Sequence, residues 1–259
     1  MKRWTAVFTL SLVAFMARAE VHTESVTYKQ GDTALEGYLA YDTGIQGKRP
    51  GVLIVPDWMG PGKFSNERAE ALAKLGYVAF AVDIYGKDVR PKDAKEAGAQ
   101  AGKFKGDRKL LRERVLAGLE VLKARDNVDV TKIAAIGYCF GGTTVLELGR
   151  AGAPVAGLVS FHGGLDNPTP DDGKNIKGKV LILHGADDPN VPPEQVAAFE
   201  DEMRKGGVDW ELVKYSKAVH AFTNPAAGND NSKGVAYNEL ADKRSWQAMK
   251  DFFAEIFAK

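Results

Sequence analysis

Ile133-Ala134-Ala135-Ile136-Gly137-Tyr138-Cys139-Phe140-Gly141-Gly142 is the stretch on which the fold turns. Four apolar residues, enough for a short buried strand, run into glycines spaced around a single thiol, and residues 143–148 continue in a helical pattern. The pattern G-x-C-x-G-G is that of a strand–turn–helix elbow, with cysteine where serine is usual. The residue at the apex of such a turn adopts a strained conformation. Small residues two before and two after it are what let strand and helix approach. The sulfur then stands above the sheet at a helix N-terminus, where the dipole and free N–H groups favour thiolate over thiol. A buried structural cysteine beside a tight turn is the plainer alternative.

Outward from the elbow, strand and helix signals alternate. Residues 35–41 alternate apolar and polar positions, as a half-exposed strand does. Short apolar runs follow at 51–55, 77–82, 155–161 and 180–183, and 210–215 is more polar, as an edge strand would be. Continuous apolar strands imply burial on both faces. Between them lie helical stripes: Leu111, Val115, Leu119 and Leu122; then Val196, Phe199 and Met203, stopped by Gly206-Gly207. Leu72 and Leu75 precede Gly76 in the same manner, and Trp246, Met249, Phe253 and Ile256 mark a last helix with core-facing aromatics. The lysines scattered over 87–105, with acids among them, read as a solvated face. The expected architecture is α/β: a mostly parallel central sheet with helices on both faces, its active site beyond the carboxyl ends of the strands.

Composition agrees with that class. The chain has 259 residues, 44% of them hydrophobic and 27% charged, which excludes disordered, collagen-like and coiled-coil chains. Lys+Arg number 35 against Asp+Glu 34, so no basic surface for nucleic acid is indicated. Residues 1–19 read as a cleaved secretory signal: Lys2 and Arg3, a short apolar stretch, then Ala17-Arg18-Ala19 as the cleavage site. Residues 20–259 are then a single exported domain, periplasmic or secreted, monomeric and without stable membrane association. A retained membrane anchor is the rival reading of the leader. Cys139 is the only cysteine, which is unusual for an exported chain and asks for a reason.

Two further stretches supply one. His184-Gly185-Ala186-Asp187-Asp188-Pro189-Asn190-Val191-Pro192 follows the 180–183 strand, and His220-Ala221-Phe222 follows the 210–215 strand. The chain order Cys, Asp, His is that of a nucleophile–acid–base triad, with each member just past a strand. His220 would hold the proton from sulfur, and an aspartate would fix its tautomer and stabilise the imidazolium. Asp187 and Asp188 are equivalent by charge alone. His162 is a rival base but violates the triad order, His184 begins the acid loop, and His22 lies beside the leader. No metal-ligand spacing is present, and no cofactor is expected.

The phrases at 137–142, 184–192 and 220–225, with Val82-Asp83-Ile84-Tyr85-Gly86, together resemble the dienelactone hydrolase family of α/β-hydrolases over roughly residues 25–257. The resemblance implies an α/β-hydrolase fold and a catalytic triad of Cys139, Asp188 and His220, because the family's acid stands three residues before the Val of V-P. It also implies an oxyanion hole from the backbone N–H groups of Trp58 and Phe140. Asp57 stands where related chains carry a Glu that pairs with the resting thiol; it reads equally as a loop cap. Tyr85, Lys87 and Asn224 occupy the substrate end, where arginines would grip a carboxylate. Lys and Asn lack the bidentate fork, so dienelactone itself is not the expected substrate.

The implied function is hydrolysis of a small activated ester or lactone through an acyl-thioester. A non-catalytic exported ligand-binding protein is one rival. A peroxide-sensing thiol is another, weakened because no second cysteine can resolve a sulfenic acid.

Overall fold

The computed structural model describes residues 20–258; the leader expected over 1–19 lies outside them. One eight-stranded sheet carries the described strands: β1 (Val21–Gln30), β2 (Thr33–Asp42), β3 (Arg49–Val55), β4 (Val78–Ala81), β5 (Val128–Tyr138), β6 (Gly157–Phe161), β7 (Lys179–Gly185) and β8 (Trp210–Tyr215). Their spatial order is β1-β2-β4-β3-β5-β6-β7-β8. The hairpin β1–β2 and the β2–β4 pair are antiparallel, and every pairing from β4 to β8 is parallel.

The helices are α1 (Lys63–Lys74), α2 (Ala94–Gly106), α3 (Arg108–Lys123), α4 (Phe140–Arg150), α5 (Pro193–Gly206) and α6 (Glu239–Phe257). They cover both faces. Val52 and Ile54 of β3 pack with Leu72 of α1 and Met249 and Phe253 of α6, whereas Leu53 and Val55 join Leu119 of α3, Val145 of α4 and Phe199 of α5. The period-two split of a wholly apolar strand is what burial on both faces demands. At roughly 25 cal/mol per Å2 of apolar surface, these two cores supply most of the drive to fold.

Two elements differ from the sequence reading. β1 was not expected: Val21–Gln30 is an edge strand in which only Tyr28 is buried, so polar residues dominate and the alternation is faint. The 87–105 stretch is not simply a solvated face, because most of it forms α2. Asp93 caps that helix by accepting from the Glu96 amide, and Ala97, Ala101 and Phe104 are buried. Two of those three contacts are alanines, too small to draw a hydrophobic stripe.

The parallel order brings the carboxyl ends of β3, β5, β6, β7 and β8 to one rim. Every residue singled out for catalysis leaves the sheet there.

Candidate active site

Cys139 is the N-cap of α4, with φ 54 and ψ −114. That geometry costs roughly 1–3 kcal/mol and persists only where packing enforces it. A Cβ on Gly137 would lie 2.0 Å from the Gly141 carbonyl oxygen, and one on Gly141 would lie 2.1 Å from that of Val55. Backbone meets backbone at both positions, so only hydrogen fits. The elbow is anchored on each side: the Cys139 amide donates to the Phe161 carbonyl at 3.0 Å, and the Cys139 carbonyl accepts from Gly142 N–H at 2.9 Å.

The three distant stretches meet. Cys139 Sγ lies 2.9 Å from His220 Nε2, and His220 Nδ1 lies 2.9 Å from Asp188 Oδ2. The second Asp188 oxygen accepts from the Asn190 amide at 2.8 Å, so the carboxylate is held at both ends and its side chain is fully buried. Asp187 is exposed and serves through its backbone, donating to the Ala218 carbonyl. Burial alone would depress the His220 pKa. Hydrogen bonds to Asp188 and Cys139, and the charges on both, outweigh it and push the value up to about 10. His220 is thus placed to hold a proton at Nε2 beside the sulfur, while Asp188 fixes the ring from Nδ1.

Trp58 follows β3 and Phe140 follows the cysteine, and both line the same cavity as Cys139. Neither backbone N–H has a hydrogen-bond partner among the described residues. Asp57 shapes this loop: its Oδ1 accepts from Met59 N–H at 2.9 Å, and its carbonyl accepts from Gly60 N–H at 3.0 Å. That is the loop-cap reading; no hydrogen bond joins Asp57 to the thiol. Burial raises the Asp57 pKa, against the Met59 hydrogen bond and the His220 charge, which lower it.

The cavity has a volume of about 540 Å3. Its walls are largely apolar, with Trp58, Met59, Phe64, Val191, Ala226 and Val235 prominent and Trp58 and Met59 partly exposed at 37% each.

The substrate-end residues fare differently. Lys87 is not at the cavity: its Nζ pairs with Glu36 of β2 at 3.1 Å, because the chain after Gly86 runs back along the hairpin. Tyr85 is not a substrate contact either. It is buried beneath the loop after β3, its hydroxyl donating to the Trp58 carbonyl at 2.9 Å and its ring 5.6 Å from that of Phe140. Asn224 does line the cavity, while its side chain accepts from Ala226 N–H. Two polar, Gly- and Asn-rich stretches, 166–178 and 224–234, follow strands near the site, and the one from 224 onward contributes wall residues. The segment from 166 to 178 instead packs on α5 through Gly173 and Glu202. Sequence reasoning missed Lys105, grouped with the solvated lysines, which reaches the cavity edge from α2 and sits 3.5 Å from Asp166. The available signal was Asp93 three residues before Glu96, a helix start that places Ala101 and Lys105 one turn apart.

With this geometry in view, similarity to known proteins becomes informative. The sequence profile described as the dienelactone hydrolase family matches residues 35–257. A solved structure named m3DLH is 40% identical, with a TM-score of 0.88, covering 91% of this chain and 98% of its own. A dienelactone hydrolase-like promiscuous phosphotriesterase from metagenomic libraries is 41% identical, with a TM-score of 0.87 and coverage of 92% and 99%. A putative carboxymethylenebutenolidase of Synechocystis is 27% identical over 90% of this chain and 97% of its own length.

Proposed function

The chain belongs to the dienelactone hydrolase family, and from that premise we propose that it hydrolyses small activated carboxylic esters or lactones with Cys139 as nucleophile. The observation that carries this reading is the unbroken line from sulfur through imidazole to a buried carboxylate, opening on an apolar cavity.

The Cys139 thiolate attacks the carbonyl carbon, forming a C–S bond and moving the π electrons onto oxygen. The Trp58 and Phe140 amides receive that oxyanion; a single donor of this type is commonly worth about 10²–10³ in rate. The tetrahedral adduct collapses, the C–O bond to the alcohol breaks, and the leaving oxygen takes the proton from His220 Nε2. Neutral His220 then draws a proton from water as its oxygen attacks the thioester. Collapse releases the acid and returns the thiolate–imidazolium pair. Asp188 holds the imidazole in register throughout.

This mechanism selects its substrates. A thiolate leaves a tetrahedral adduct more readily than an ordinary alkoxide does, so the forward path needs a leaving group at least as good, such as a phenolate or an enolate. Amides should turn over poorly. With Lys87 turned away, Asn224 neutral and Lys105 already paired with Asp166 at the edge, the cavity favours uncharged, apolar acyl and aryl groups over a lactone that carries a carboxylate. The likeness to a promiscuous phosphotriesterase adds phosphotriesters as a second electrophile to present to the same thiolate.

Export through the 1–19 leader belongs to this proposal too; the N-terminal sequence of the processed protein tests it. The catalytic reading is tested by iodoacetamide. Labelling of Cys139 should remove 4-nitrophenyl acetate turnover in parallel, while a ligand-binding protein would bind esters without consuming them, labelled or not.

A further inference from the structure

His220 rides on a turn whose Ala221 has φ 59, and something must hold that turn in place. Two residues later, Thr223 is fully buried and gripped at two points. Its Oγ1 shares a 2.8 Å hydrogen bond with Nε2 of His162, the residue after β6. Its carbonyl accepts a 2.8 Å hydrogen bond from Arg68 Nη2 of α1. Arg68 is itself fixed. It donates to Asp242 of α6 at 2.9 Å, and its guanidinium lies 4.9 Å from the Phe64 ring, 5.2 Å from Trp246 and 5.7 Å from Tyr138.

His162 is only 2% exposed and has φ 40, a costly conformation for a residue with a side chain. Its ring stands edge-on to His220 at 5.3 Å between centroids and edge-on to Phe222 at 5.1 Å. It therefore touches the turn both through Thr223 and through the catalytic imidazole.

We propose that His162, Thr223 and Arg68 form a strut that sets the His220 ring in line between Cys139 and Asp188, each acting as a positioning residue. The proposal rests on the nucleophile reading above. His162 is not a second base, because its Nε2 is already committed to Thr223. Burial, above all, and then the His220 charge hold its ionisation well below the usual range, with Arg68 and His184 pushing the same way. A neutral ring is what the position requires: a second cation so close would compete with His220 for the proton. Tyr138 packs near the His162 ring at 6.1 Å, while Asp188 and Asp57 act on His220 from the other loops.

Because small misplacements of a catalytic group cost rate more than binding, kcat is the sensitive quantity. In T223V, which keeps the shape and removes the hydroxyl, kcat for 4-nitrophenyl acetate should fall about tenfold with KM within about twofold. The alkaline limb of kcat/KM should also move to lower pH, since a displaced His220 bonds its partners less well. T223S should restore both. Wild-type kcat and pH profile in T223V, or T223S as impaired as T223V, would overturn the strut. If T223V fails to fold, R68K decides. It keeps the charge but loses the Nη2 group that donates to both Thr223 and Asp242, and a wild-type profile there overturns the proposal equally. C139A, assayed alongside, separates the two ideas: turnover at the wild-type rate in it rejects the nucleophile, whatever the strut variants do.

Discussion

The Cys139 sulfur and the His220 Nε2 nitrogen lie 2.9 Å apart although 81 positions separate the two residues in the chain. Both occupy turns with positive φ, 54 at Cys139 and 59 at the neighbouring Ala221. Packing and backbone hydrogen bonds hold the strained elbow, and the result is a sulfur and an imidazole nitrogen close enough to share a proton.

That proton sets the pH behaviour. The His220 pKa is raised to about 10, so the protonated form persists through neutral pH and is lost as pH rises through that value. kcat/KM should therefore fall on the alkaline side near pH 10. Asp188→Asn removes a charge and a hydrogen bond that hold the value up, so the limb should move toward neutral pH. A loss in kcat of about 100-fold or more should accompany it, as for other triad carboxylates. A pH–rate series on both proteins checks this.

The loop after β3 should depend on the shape of Asp57 more than on its charge. Asp57→Asn keeps an oxygen for the Met59 amide and should leave kcat within about threefold of wild type. Asp57→Ala frees that amide, loosens the turn beside Trp58 and should cost about tenfold or more. Steady-state kinetics of the pair distinguish a loop cap from a group whose ionisation matters, which Asp57→Asn would expose.

The fold itself was legible where side chains are large. Residues 210–215 match β8 in both bounds, and the stripes through Leu111–Leu122 and Val196–Met203 fall inside α3 and α5. The elbow glycines could be read because their chemistry is local. What stayed hidden was decided by contacts the sequence does not display. β1 is held by its ladder to β2, and Tyr28 is its one buried side chain. Lys87 sits a few residues past a strand end, where a substrate contact is plausible, but Glu36 draws it to the hairpin. The strut through Thr223 joins β6, α1 and the His220 turn, and no spacing along the chain foretells that meeting.

Two glycine substitutions should move stability in opposite directions. Gly141→Ala pushes a methyl into the Val55 carbonyl, where neither backbone can yield, and should cost about 3 kcal/mol or more. Gly102 lies within α2 with nothing near its missing Cβ, so Gly102→Ala should add about 0.5–1 kcal/mol. Urea unfolding of the two variants gives both signs.

At the C-terminal end of the elbow helix, Arg150 is fully buried and bonds Glu202 at 2.7 and 2.9 Å and Glu147 at 3.0 Å. Arg150→Met leaves the buried Glu202 carboxylate without its cation and should destabilise the protein by about 3–5 kcal/mol. Arg112 still pairs with Glu147, so the folded fraction should keep its esterase kcat. Chemical denaturation with activity assayed below the transition separates the two effects.

The most direct test of the nucleophile is to catch it acylated. Wild-type protein mixed with 4-nitrophenyl acetate and quenched in acid within the first turnovers should gain the mass of one acetyl group, mapped to the Cys139 peptide and missing from C139A. Turnover at the wild-type rate by C139A, or an acetyl group on any other side chain that forms and decays at the catalytic rate, would contradict it.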